Sequence, residues 1–182
     1  RLLVPAILDA RDRMPDEAAE WLDALDDWDY RMDPDSAAAL VFSHFLDAFR
    51  EATWADDFEA AGLDDSYWPQ EWVLATLPPD SEFFDGDRAA VLAEAMGTAV
   101  ETIREEGWET YGDYNVTAID HPFGGSVSGL NYERLRTGGA PMTVRAFSTD
   151  GSHGASYRLV APMEGESLDV IPGGNDGSPF GE

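Results

Sequence analysis

The stretch that decides the fold is Gly154-Ala-Ser-Tyr-Arg-Leu-Val-Ala161, followed by Ser167-Leu-Asp-Val-Ile-Pro-Gly-Gly-Asn-Asp-Gly-Ser-Pro179. Each part holds a short run rich in apolar, aromatic or β-branched residues, and turn-forming residues separate the two runs. This pattern predicts strands over 155–161 and 167–171 that are joined by a turn. Arg158 alternates with Tyr157 and Leu159, so it faces the other side of its strand, where it is exposed or pairs with a carboxylate.

Two further strands are expected upstream of this pair. Residues 114–120 and 142–148 are short, β-branched or aromatic, and bounded by turn residues. Residues 123–141 lie between them and are rich in glycine and polar residues, so we expect a loop there.

The first 110 residues have helical periodicity instead. Apolar side chains recur at spacings of three and four over 15–28, 34–57 and 87–106, and a short helix is predicted over 71–76. Asp33 is the expected N-cap of the second helix, with Pro34 as its first residue. Gly107 fits the position just after the third helix. The apolar face expected for the second helix consists of Leu40, Val41, His44, Phe45, Ala48, Phe49 and Ala52.

Helices followed by strands predict an α+β fold. We expect residues 1–110 to form an acidic helical layer. Residues 111–182 then form a strand-rich segment of the same domain, and residues outside this chain complete it. The chain begins at Arg1, without an initiator Met or a signal-peptide pattern, so a processed N-terminus or an excerpt is expected.

The charge of the chain is extreme. There are 37 acidic residues against 11 basic ones, every basic residue is Arg, and the net charge is −26. Self-repulsion of this size destabilises a compact state, and molar salt screens it by shortening the Debye length to ~3 Å. We therefore predict a soluble protein of a high-salt organism, cytoplasmic or exported. An acidic interaction protein is the alternative, but such proteins usually contain few aromatics, whereas 12% of this chain is aromatic.

The composition also excludes several classes of function. No basic stripe exists to pair with phosphates, so no nucleic-acid partner is expected. The absence of cysteine excludes disulfides, thiolate nucleophiles and Cys-ligated metals. No apolar run approaches the ~20 residues that span a bilayer.

The acidic run from Asp26 to Asp35 is the candidate metal loop. It lacks the glycine and the closing glutamate that shape an EF-hand, so a solvated surface is the favoured interpretation. The glycine-rich run at 173–177 has backbone N–H groups for an anion, but no helix follows it, and a turn is favoured. No cofactor is expected.

Three histidines are candidate general bases. His44 lies on the apolar face of its predicted helix and is expected to be a hydrogen-bonded core residue. His121 precedes Pro122 at the end of a strand, where a structural role is favoured. His153 lies between glycines in an exposed turn. Neither a Gly-x-Ser-x-Gly elbow nor a His-Glu-x-x-His motif is present.

Four segments together resemble one family. These are Trp28-Asp-Tyr-Arg-Met-Asp-Pro-Asp-Ser36, Tyr111-Gly-Asp-Tyr-Asn115 with His121-Pro-Phe-Gly124, Gly138-Gly139 before Met142-Thr-Val144, and Gly154-x-Ser-x-Arg158 with Val170-Ile-Pro-Gly173. Their order and spacing resemble the C-terminal part of the large chain in the penicillin acylase family of N-terminal-nucleophile hydrolases. Two departures are Ala161, where the family often has Asp, and Gly174-Asn-Asp-Gly177, where it tends to have Gly-Gln-Ser-Gly.

The resemblance implies a self-cleaving precursor and an αββα sandwich. In that family a new N-terminal serine attacks an amide carbonyl, and its own α-amino group, with a pKa of ~7.7–8, acts as the base. Those groups lie upstream of the region that this chain resembles, so no catalytic, cofactor-binding or metal residue is assigned to it. The resemblance implies that the full enzyme cleaves N-acyl compounds such as penicillins or acyl-homoserine lactones, with the upstream chain as partner. A non-catalytic halophilic structural or binding subunit is the alternative.

Overall fold

The computed structural model describes residues 2–118, 120, 123–127, 129, 131, 134–140, 143 and 158–170. The chain divides into two compact units, residues 1–114 and residues 115–182. The described elements are mixed helix and antiparallel strand, which confirms the predicted α+β class. None of the helices in the described part of the chain combines the length and apolar character that crossing a membrane requires.

The first unit is helical. Its α-helices are α1 (Val4–Asp9), α2 (Ala19–Asp26), α3 (Ala37–Ala60), α4 (Glu71–Thr76), α5 (Arg88–Glu106) and α6 (Tyr111–Tyr114). Short 3-10 turns occur at Arg11–Arg13, Asp16–Ala18, Asp65–Tyr67 and Glu82–Phe84. The long helices α3 and α5 pack against each other and carry most of the core.

The core is built around a row of aromatic rings. Phe45 and Phe49 are fully buried, with ring centroids 5.4 Å apart, and Phe49 stacks on Phe84 at 5.9 Å. On α5, the apolar residues that recur at helical spacing are buried, except that Val91 is half-buried. Val100 is also buried, although it was not predicted to be. Truncating one such ring to Ala typically costs about 3–5 kcal/mol, so this row is a major source of stability for the unit.

The predicted start of α3 at Pro34 is wrong. Residues 33–36 form a turn in which the Ser36 N–H donates to the Asp33 carbonyl at 3.1 Å. Ser36 then caps the helix, its hydroxyl oxygen accepting from the Ala39 N–H at 3.1 Å. The turn decides the outcome, because it places the Ser36 hydroxyl, and not the Asp33 carboxylate, within reach of the third N–H.

The other helix boundaries follow the sequence more closely. Asp87 caps α5. Gly107 ends the helix with a φ of 70°, as expected. The helix predicted over 15–28 is shorter, because Pro15 is extended, a 3-10 turn follows it, and α2 occupies only 19–26. The helix α3 continues past 57 and stops before Gly62, which has a φ of 72°. Ala52 is exposed, contrary to prediction, and Thr53 and Trp54 are buried instead.

The second unit contains two short antiparallel pairs. Strand β1 (Val116–Thr117) pairs with β2 (Leu135–Arg136), with Val116 opposite Arg136. Strand β3 (Arg158–Val160) pairs with β4 (Leu168–Val170), with Leu159 opposite Asp169. Both strands lie within the ranges 155–161 and 167–171 where strands were expected, and residues 155–157 and 171 are outside the described residues. The strand expected over 142–148 lies, apart from Thr143, outside the described residues.

Two predictions for the strand-rich segment are only partly confirmed. The strand expected over 114–120 is reduced to β1, because Tyr111–Tyr114 form a helical turn. The Asp113 carboxylate stabilises the start of this turn by accepting from the N–H groups of Glu109 and Thr110 at 3.1 and 2.8 Å. The loop expected over 123–141 contains β2. Both β2 side chains are exposed, so backbone pairing forms this strand without the apolar alternation that would predict it.

Candidate functional site

The loop from Trp28 to Ser36 is held by its own polar groups. The Trp28 Nε1–H donates to the Arg31 carbonyl at 3.0 Å, and the Asp29 carboxylate accepts from the Arg31 N–H at 2.9 Å. Tyr30 lies between them with a φ of 65°, a left-handed conformation that costs a non-glycine residue about 1–2 kcal/mol. The Trp28 ring packs on Phe42 at 5.1 Å, which ties the loop to α3.

The same contacts engage two carboxylates of the acidic run from Asp26 to Asp35. The Asp29 carboxylate bonds to the backbone, and the Asp33 carboxylate lies 3.3 Å from the Arg31 Nε. Within the described ranges, no three His, Asp or Glu side chains are grouped so that they could hold a metal ion. The run forms a self-bonded loop followed by a capped helix.

The structure brings together two of the motifs that carry the family resemblance. The Tyr111 N–H donates to the Ser36 carbonyl at 3.1 Å, and the Gly112 N–H donates to the Pro34 carbonyl at 2.6 Å. Tyr111 and Gly112 are buried at this junction. The Trp28–Ser36 loop therefore fixes the segment at which the chain leaves the helical unit.

Aromatic rings surround His44 at this junction. Its imidazole stacks on Trp108 at 5.2 Å and meets the edge of Tyr114 at 4.7 Å, and Trp108 and Tyr114 are themselves 5.3 Å apart. The ring is half-buried, and its Nε2 has no hydrogen-bond partner in the described part of the chain. We expected His44 to be a hydrogen-bonded core residue. It is instead held by ring stacking, and its Nε2 makes no hydrogen bond within the described residues.

The electrostatics of His44 follow from this packing. Burial lowers the pKa of His44 below its ordinary value, because the charged imidazolium loses solvation among the rings. The side chain is therefore neutral near pH 7. A general base must lie within hydrogen-bond reach of the group that it deprotonates. The Nε2 of His44 is buried and its ring stacks on Trp108, so this geometry favours a packing role.

A second polar cluster joins α3 to α4 and was not anticipated from the sequence. The Arg50 Nη1 lies 3.6 Å from the Glu71 Oε1, and the guanidinium lies over the Trp68 ring at 5.7 Å. Burial raises the pKa of the Asp47 carboxyl although its side chain reaches the surface. Arg50 lowers this pKa and Glu71 raises it further. The only sequence signal was the i, i+3 spacing of Asp47 and Arg50 on one helix.

In the second unit, Asn115 holds two segments together. It is 1% exposed, and its amide nitrogen donates to the carbonyls of Thr137 and Gly139 at 2.5 and 3.4 Å. The Thr137 N–H donates back to the Asn115 carbonyl at 3.0 Å. The last residue of the Tyr111–Asn115 motif therefore has a structural partner in the segment before Gly139.

His121, His153 and the run at 173–177 lie outside the described residues. Arg158 occupies the first position of β3, and only its backbone is described. The sites that the structure does show consist of buried rings, capping groups and ion pairs.

Comparison with known proteins identifies the family. A model of the penicillin amidase family matches residues 1–182, the whole length of the chain. The comparison with curated proteins gave no significant match.

Proposed function

The chain belongs to the penicillin amidase family, and on this premise we propose that it is a scaffold section of the large chain of a penicillin acylase-like enzyme. In general terms, the protein is a penicillin acylase-like amidohydrolase. The substrate class that we propose is an N-acyl compound: a penicillin, an acyl-homoserine lactone or a related amide. We further propose that it works in a high-salt organism, because its net charge is −26.

One observation carries the scaffold role. Three polar groups of the Trp28–Ser36 motif bond within the motif or to the neighbouring helix: the Trp28 indole to Arg31, the Asp29 carboxylate to Arg31, and the Ser36 hydroxyl to Ala39. A group that exchanges a proton with a substrate must have its donor or acceptor atom within hydrogen-bond reach of that substrate, and the bonds above occupy these atoms. These groups instead set the position of the loop and the start of α3.

The chemistry of the family points to a nucleophile elsewhere. A serine hydroxyl is a weak nucleophile until a base lies within hydrogen-bond reach. In N-terminal-nucleophile hydrolases that base is the α-amino group of the same serine. An internal serine has no free amine, and the groups that perform this chemistry in the family lie upstream of the region that residues 1–182 resemble. We therefore place the nucleophile on a companion chain of the same precursor.

The β3–β4 hairpin supports the need for a companion. Val160 is 49% exposed and lies opposite Leu168, which is 70% exposed, so the two share one face of the hairpin, and Met163 in the connecting turn is fully exposed. Apolar side chains clustered on a short hairpin are typical of a surface that another segment covers. In the proposed complex, that cover is the remaining sheet of the sandwich.

The test is hydrolysis of chromogenic phenylacetyl and long-chain acyl amides in molar salt. The purified 182-residue chain should be inactive, and the complex with the companion chain should turn over substrate. His44→Gln in the complex should leave kcat within a few-fold, since His44 packs on rings and holds no substrate in this account. Turnover by the chain alone, lost on replacing His121 or His153, would overturn the scaffold role. A complex that is inactive on every amide tested would favour a non-catalytic subunit.

A further inference from the structure

Two shallow depressions adjoin each other where α2 meets the start of α3. The first has a volume of about 360 Å³ and is lined by Glu20, Trp21, Ala24, Ala37, Trp108 and Glu109. The second has a volume of about 390 Å³ and is lined by Ala24, Asp27, Trp28, Asp29, Ser36, Ala37 and Ala38. Because Ala24 and Ala37 line both, the two form one surface groove, which we call the Trp groove.

The aromatic side chains that line the Trp groove are fixed by packing against other rings and the core. Trp108 stacks on His44 at 5.2 Å, and Trp28 packs on Phe42 at 5.1 Å. Trp21 is half-buried and packs against the core. Rings that are already fixed lose little side-chain entropy when a ligand stacks on them, so the groove is preorganised.

The rim of the Trp groove carries uncompensated negative charge. Glu20, Asp27 and Glu109 have no ion-pair partner in the part of the chain that the structure describes. The Asp29 carboxylate, which accepts from a backbone N–H, lines the same groove. The N-terminus of α3 also reaches the groove and by itself would favour an anion. Ser36 caps that terminus, however, and Asp27 and Asp29 repel an anion, so a cation is favoured.

We propose that the Trp groove is a docking site for a polypeptide segment that presents an arginine side chain. A guanidinium is planar, stacks on the face of an indole and pairs with carboxylates at its edge, which matches aromatic walls below an acidic rim. The alanine floor leaves room for a backbone to approach. A site for a free small molecule usually encloses most of its ligand, whereas this groove is partly open to solvent, more so beside Trp28 than beside Trp21. The proposal does not depend on the amidohydrolase function.

The probe for the test is the peptide acetyl-Leu-Arg-Leu-amide, with two matched controls. Acetyl-Leu-citrulline-Leu-amide has nearly the same shape without the charge, and acetyl-arginine-amide has the charge without the flanking peptide. Binding to the 182-residue chain is followed by tryptophan fluorescence and calorimetry, at a salt concentration where circular dichroism shows the native fold. The arginine peptide should bind saturably, and the citrulline peptide about 10-fold more weakly, in line with the loss of a cation–π contact. Free acetyl-arginine-amide should bind more weakly than the arginine peptide.

Variants of the groove walls and rim test whether the peptide binds in the Trp groove or to the acidic surface in general. Trp21→Ala and the double variant Glu20→Gln/Glu109→Gln should each weaken the arginine peptide about 5-fold or more. Trp72→Ala, on a ring that is 64% exposed on α4, and Glu51→Gln/Glu59→Gln, on the exposed side of α3, should leave binding unchanged. Equal binding of the arginine and citrulline peptides would overturn the proposal. So would equal weakening by the control variants, or equal affinity for acetyl-arginine-amide, which would indicate a small-molecule site.

Discussion

Replacing Trp28 with phenylalanine tests whether the Trp28–Ser36 loop is a structural anchor. The substitution keeps an aromatic ring against Phe42 but removes the Nε1–H that donates to the Arg31 carbonyl at 3.0 Å. The matched control is Trp72→Phe, because Trp72 is 64% exposed and its ring has no hydrogen bond among the described residues. Any difference between the two variants reports on the anchor and not on the loss of an indole.

The expected magnitude follows from the contacts. A net intramolecular hydrogen bond contributes about 0.5–1.5 kcal/mol, so Trp28→Phe should lower the free energy of unfolding by about 1 kcal/mol. Trp28→Ala also removes the packing of a half-buried indole. Full truncation of a buried aromatic costs about 3–5 kcal/mol, so roughly half of that is added, for a total of about 3 kcal/mol. The control at the exposed Trp72 should stay within about 0.5 kcal/mol of the wild-type chain.

The assay is urea unfolding in molar salt, followed by far-UV circular dichroism. Urea is uncharged, so it unfolds the chain without changing the screening of its acidic surface. A shift in midpoint at constant slope reports a change in stability. If Trp28→Phe and Trp72→Phe unfold at the same urea concentration, the loop is not an anchor and the reasoning from its hydrogen bonds fails.

Three further predictions concern salt, capping and pH. The melting temperature should rise between about 0.1 and 3 M KCl, because screening relieves repulsion among −26 charges, and a flat profile by circular dichroism would contradict the halophile interpretation. Ser36→Ala should cost about 1 kcal/mol in the same urea assay, since it removes the hydroxyl that accepts from Ala39, and an unchanged midpoint would rule out this cap. Burial lowers the pKa of His44 in the folded chain, so the unfolded chain takes up that proton first as the pH falls. The free energy of unfolding should therefore decrease as the pH falls from about 6.5 toward the pKa of His44 in the folded chain. His44→Gln should remove this part of the pH dependence. An NMR titration that gives His44 an ordinary pKa would refute this prediction.

The parts of the fold that could be predicted are those in which the local sequence signals agree with one another. The helix α5 has a capping Asp87, an apolar stripe and a terminal Gly107, all of which agree, and its bounds matched. The start of α3 was misplaced because Asp33 and Ser36 are both good caps. A backbone hydrogen bond within the turn selects Ser36. The strand β2 gave no signal, because its exposed side chains need no apolar alternation.

The contacts at the candidate site could not be predicted from local sequence signals either. The apolar face that includes His44 was visible in the helical spacing, but its stacking partners Trp108 and Tyr114 come from a segment far along the chain. The contact of Ser36 with Tyr111 likewise joins two motifs that spacing alone could not bring together. Side chains that meet only through tertiary packing carry no local pattern, so they became apparent only in the folded chain.

The central claim is that the nucleophile lies outside this chain, and active-site labelling tests it most directly. The active complex is treated with a sulfonyl fluoride, which reacts with an activated serine hydroxyl, and the labelled residue is located by peptide mass spectrometry. The account predicts a single label on the N-terminal serine of the companion chain, in step with loss of amidase activity, and none within residues 1–182. A stoichiometric label on a serine of this chain, formed as activity is lost, would contradict the scaffold role.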